Sequence, residues 1–204
     1  MTIMQTPNDM NLKALFFNAF ASRPPPSAGQ ILRPTVRHHE GDKLRELLAT
    51  KTSSELTDYE VRTVVESNLW MLSSQAFLYF LPAFLHASLE SYASVSVFAS
   101  ELIGALTEPS REDVAEALDQ VAQVPPGMGL PADITEVLRK QQLEWFDSGV
   151  PTAIFHERFD NLTHIEGAAI LAFFVAFQEV YGANFPFDEL KAAVDRYWAR
   201  YRNS

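Results

Sequence analysis

Cysteine is absent from the 204-residue chain. That excludes a disulfide scaffold, a zinc ribbon, a thiolate-ligated cluster and a cysteine nucleophile. Phosphate cradles are missing too: there is no GxxxxGK[ST] and no strand-linked GxGxxG. Neither HExxH nor a GxSxG elbow occurs, so zinc-protease and α/β-hydrolase chemistry lack their signatures. Basic charge is in short supply, at 16 Lys+Arg against 26 Asp+Glu, for a net charge of -10. A pI near 4.9 argues against a nucleic-acid binder, which needs a basic face.

Membrane-spanning character is also scarce. The longest uncharged window, 67–89, holds Ser73, Ser74 and Gln75 near its middle. Polar groups there would be costly in hydrocarbon, so the window reads as two buried helices with a turn at Ser73-Ser74. A second uncharged window, 167–178, is too short to span. The first ten residues carry no basic n-region and no apolar run, so no signal peptide is expected. A cytoplasmic protein that contacts no membrane is the resulting expectation.

What is present is apolar residues at helical spacing. Hydrophobic residues make up 47% of the chain and include 15 Phe, enough for a sizeable core. Helices are predicted over 9–21, 40–50, 57–72, 74–92, 95–106, 111–123, 131–148, 153–159, 164–181 and 189–202. In the first, Leu12, Leu15, Phe16, Ala19 and Phe20 share a face. Pro24-Pro25-Pro26 ends it, because proline cannot continue a helix. Thr57 or Asp58, Ser74, Ser110 and Asp188 are the expected N-caps, and Thr163 with Glu166 forms a capping box. The segment 74–92 is apolar all round, which predicts burial; Pro82 within it is expected to kink the helix or start a new one. Strand signals are thin, and no repeat of fixed period occurs. The expectation is a single all-α domain over 1–204, a compact bundle of about eight helices around one buried helix. A flexible Pro-rich loop at 22–39 and a Pro/Gly linker at 124–131 interrupt it.

Charge is uneven. Residues 101–150 carry ten acidic against three basic side chains, net -7, whereas residues 1–50 sum to +2. Within the acidic segment Glu108, Glu112, Glu116 and Asp119 recur at four, four and three residues. That spacing makes one stripe, with Asp113 beside it and Val114, Ala117, Leu118 and Val121 opposite. A stripe of this sign would speed encounter with a basic protein and repel wrong partners. Glu108, Glu112, Asp113, Glu116 and Asp119 are therefore the predicted partner-binding residues, set against the simpler reading of a solvated helix face.

Histidine offers less. His38 and His39 are neighbours in an extended stretch and point to opposite faces. His86 and Glu90 share a helix face at i, i+4 and are the metal-binding alternative, although no local third ligand accompanies them. His164 is expected to act at a helix N-terminus. No metal, cofactor or catalytic residue is predicted.

The run Phe77-Leu78-Tyr79-Phe80-Leu81-Pro82-Ala83-Phe84-Leu85, followed by Ala87-Ser88-Leu89, resembles a bacterial family of unknown function with a Tyr-x-Leu-Pro-Ala-Phe-Leu landmark. The loop at Pro24 to Pro26, His39-Glu40-Gly41 and Leu162-Thr163 agree in order, with Glu166 where glutamine is more usual. The resemblance implies a compact helical bacterial protein and no reaction. In style it is similar to immunity or accessory proteins encoded beside toxins. The expected function is thus a non-catalytic binding module, immunity- or antitoxin-like, that occludes a basic toxin or effector encoded nearby. The alternatives are a metal-dependent hydrolase and a carrier that holds an apolar ligand between Phe-rich helices.

Overall fold

Residues 7–36, 39–122 and 132–202 are described in the computed structural model. Arg37, His38 and the 124–131 linker lie outside them. The architecture is all-α, and among the described residues the one β contact is an isolated bridge between Leu32 and Leu72. The chain divides into two compact units, 1–107 with 161–204, and 108–160.

In the first unit, α1 (Pro7–Ala19), α4 (Ser74–Glu90), α5 (Tyr92–Leu106) and α9 (His164–Tyr181) form the core. Helix α4 is its centre, as the all-round apolar pattern requires: Phe77, Phe80, Leu81, Phe84 and Leu85 have no exposed surface. Pro82 does not end α4, which runs on to Glu90, although a proline interrupts one main-chain bond. Aromatic rings interlock across the core. Phe84 meets Phe98 edge-on at 5.4 Å, and Phe16 meets Phe173 at 6.4 Å. On α1 and the turn after it, Phe16, Ala19 and Phe20 are buried as expected, but Leu15 is 38% exposed. The apolar arc of α1 is therefore wider than the face it buries. Helix α2 (His39–Ala49) buries Leu44 and Leu48.

The predicted helix over 57–72 breaks up. Thr57 caps α3 (Asp58–Glu60) in a capping box with Glu60, and a π-helical turn follows at Val61–Val65. The β-branched run there is crowded in regular helix. The chain then turns at Glu66 and Ser67, where Ser67 takes φ 65°, and re-forms as a 3-10 turn at Leu69–Met71. Two carboxylates fix this break. The Ser67 N–H donates to Glu101 at 3.0 Å, and Glu66 accepts from the Phe98 N–H at 3.0 Å. That second bond has a cause in α5, where Val95 leaves helical geometry (φ -127°, ψ 28°). A kink frees main-chain N–H groups just beyond it, and Glu66 takes one.

Ser73, not Ser74, caps α4: its hydroxyl accepts from the Ala76 N–H at 3.1 Å and donates to the Gln30 carbonyl. The predicted final helix is split into α10 (Glu189–Arg196) and a 3-10 turn at Trp198–Tyr201. Asp188 has a left-handed backbone and makes no side-chain cap bond. The break at Tyr197 lets two adjacent large rings, Tyr197 and Trp198, both be buried, and the Trp198 indole N–H donates to the Leu106 carbonyl at 2.7 Å.

The described part of the 22–39 loop is tied down. Arg23 reaches Glu166. The Arg33 N–H donates to the Met71 carbonyl at 2.9 Å, and the Ser73 N–H to the Ile31 carbonyl at 2.9 Å.

Candidate partner-binding face

The second unit holds α6 (Arg111–Ala122), α7 (Ala132–Asp147) and α8 (Val150–Phe159). Ser110 starts α6 as predicted: its Oγ lies 3.5 Å from the Asp113 N–H and donates to Glu112 at 2.8 Å. Glu112 and Asp113 occupy the first turn, where the helix dipole favours anions. Gly149, at φ 75°, follows α7 and precedes α8, which has Pro151 in its first turn. That makes α8 three residues longer than its apolar pattern indicated.

Helices α6 and α7 lie antiparallel and are cross-linked by charge. Arg111 forks onto Asp147 at 2.8 and 3.3 Å, and Arg139 pairs with Asp119. The first bond holds the Asp147 carboxyl below its ordinary value and raises the Arg111 guanidinium. These pairs are exposed, so solvent screens them and they add little stability. Their effect is to align two helices that bury little: no described side chain of α6 or α7 is fully buried.

The five predicted partner-binding residues fall into two groups. Glu108 precedes α6 rather than continuing its stripe, and its carboxylate lies 3.2 Å from Nε2 of His156, whose Nδ1 lies 2.8 Å from Asp160. Asp119 is bound by Arg139. Glu112, Asp113 and Glu116 stand exposed on the outer side of α6. The Ser110 hydroxyl bond holds the Glu112 carboxyl below its ordinary value, so it is anionic at neutral pH. Opposite them, Val114 and Leu118 are half-buried, but Ala117 is exposed; Val121 lies where side chains are not described.

This unit carries a second, apolar feature. Ile134, Val137 and Trp145 on α7 are 44%, 55% and 53% exposed. With Gln141 they recur at three, four and four residues, so they share one face. The spacing was readable in the sequence, but a helical apolar stripe ordinarily means core.

The other candidates are placed as follows. His39 is exposed, and its neighbour His38 lies outside the described residues. His86 is half-buried, with its ring edge-on to Phe17 at 6.5 Å. Burial, and then Lys13, depress its pKa against the opposing pull of Asp58. Glu90 is exposed one turn away. Among the described residues no three His, Asp or Glu side chains gather in a metal-binding group. The His164 ring lies 5.6 Å from Tyr201, and the cap of α9 is Thr163. The Phe residues that suggested a carrier pack against one another, mostly edge-on or tilted: Phe173, Phe174 and Phe177 join Phe16 and Trp198 in one aromatic network.

No family model, no curated protein and no solved structure matches this chain.

Proposed function

We propose that this chain is a non-catalytic binding protein whose 108–160 unit docks a basic protein partner. One observation carries the reading. That unit holds eleven Asp and Glu against four Lys and Arg, net -7 of the chain's -10, and no described side chain of its α6–α7 pair is fully buried. Charge concentrated on so small a body raises the rate of encounter with a cationic surface and suppresses anionic competitors. Glu112, Asp113 and Glu116 form the part of the acidic face that points outward, whereas Glu108 and Asp119 hold the unit together. The finer reading is an immunity- or antitoxin-like protein that occludes a basic toxin or effector encoded beside it in a bacterial cytoplasm.

Co-expression with the products of adjacent genes tests this reading. The expected result is a complex that survives size exclusion at low salt, weakens at high salt, and abolishes the partner's activity. Loss of complex in E112Q/D113N/E116Q, with the fold intact, would support the acidic face. A complex indifferent to salt and to these substitutions would contradict it.

A further inference from the structure

Electrostatics explains why a cationic partner would arrive, but not why it would stay. Residence comes from a small apolar patch that is fully desolvated on binding. The exposed face of α7 supplies one. Ile134, Val137, Gln141 and Trp145 span about three helical turns, roughly 16 Å, with no charged side chain among them. A narrow stripe of that length suits the apolar ridge of another helix, read at i, i+3, i+4 and i+7 positions. Tryptophan is also a residue type in which binding energy concentrates. We propose that this face of α7 seats an amphipathic helix of the basic protein partner, with its apolar ridge on Ile134, Val137 and Trp145. The inference rests on the reading of the acidic unit and adds the part of the partner that is held.

Charge selects the occupant. A second copy of this chain would bring another unit of net -7 to the spacing of packed helices, about 8–10 Å, comparable to the Debye length of about 8 Å at physiological salt. An anionic lipid surface is repelled in the same way, since interfacial helices use a basic face. A helix with Lys and Arg flanking its apolar ridge meets attraction instead.

The two surfaces act on different rate constants. Rim charge changes association, and the desolvated centre changes dissociation. The full chain is titrated with a labelled amphipathic Leu/Lys peptide of about 18 residues, five helical turns, and both rates are read. V137S/W145A should raise the dissociation rate about tenfold or more and leave association nearly unchanged. E112Q/E116Q should slow association severalfold at low salt and leave dissociation nearly unchanged. All four side chains are exposed, so the variants should keep wild-type circular dichroism. If V137S/W145A dissociates like wild type while E112Q/E116Q still slows association, the α7 seat is wrong and the acidic reading stands. If neither variant changes a rate, or the wild type does not bind the peptide, both fail. Dimerisation lost in V137S/W145A, or wild-type binding to phosphatidylglycerol vesicles, would overturn the choice of occupant.

Discussion

Glu166 has no exposed surface and yet serves two partners. Its Oε2 accepts from the Thr163 N–H at 2.7 Å, closing the capping box of α9. Arg23 grips both carboxylate oxygens, through Nε at 2.5 Å and a terminal nitrogen at 2.8 Å. Burial pushes the carboxyl up, but the Arg23 and Thr163 bonds outweigh it and hold it below 4.5. Removing Arg23 would strand a buried charge, which costs about 3–5 kcal/mol where both partners are buried. Arg23 keeps a quarter of its side chain in water, so R23A should lower unfolding stability by about 2–3 kcal/mol in chemical denaturation. The depressed pKa favours the ionised, folded state. Its contribution is complete above the unfolded value of 4.5 and is lost as pH falls through the folded value. Wild type should therefore destabilise steeply in acid, and R23A less so. His86 works in a higher range. Burial depresses its pKa below 6.5, so the folded chain holds it neutral and loses stability as pH falls below 6.5. An NMR titration should place its midpoint below that value, and H86Q should flatten the stability slope there. The capping box was legible because Thr163 and Glu166 are three residues apart. The ion pair was not, because Arg23 is 143 residues away.

Helix starts were largely legible for the same reason: a cap is local chemistry. Thr57, Ser110 and Thr163 all stand where their side chains predicted. The breaks were not legible, because their causes lie in other elements. Nothing in the run Val61–Val65 announces that Glu66 leaves the helix to accept the Phe98 N–H, a bond 32 residues long in sequence. Nor does the sequence near Val95 show the kink that leaves that donor free. This bond, from the turn at Glu66 to α5, is the equivalent of a side-chain N-cap, and E66A should lower stability by about 1 kcal/mol, read as a fall in thermal midpoint. E66Q, which keeps an acceptor oxygen, should lose less. The split after Arg196 has a similar origin, since Trp198 bonds to Leu106, 92 residues away.

At the scale of the whole molecule, composition spoke plainly about class. A cysteine-free chain with 15 Phe builds its core from helices and stacked rings, and the all-round apolar segment ending at Glu90 is indeed the buried centre. The acidic segment was visible as a net charge, but not the division of its residues. Glu108 and Asp119 serve the unit internally, and only the partners His156 and Arg139 reveal it. The apolar face of α7 was invisible for the opposite reason: exposure is a property of the folded chain. The proposed role of the 108–160 unit is to recruit a basic partner by charge. It is tested most directly by the association rate of the full chain with the neighbour-encoded protein, measured against salt for wild type and E112Q/D113N/E116Q. The expected result is a steep fall with salt for wild type and a slower association with a flatter dependence for the triple variant. Equal rates and equal slopes for the two proteins would contradict it.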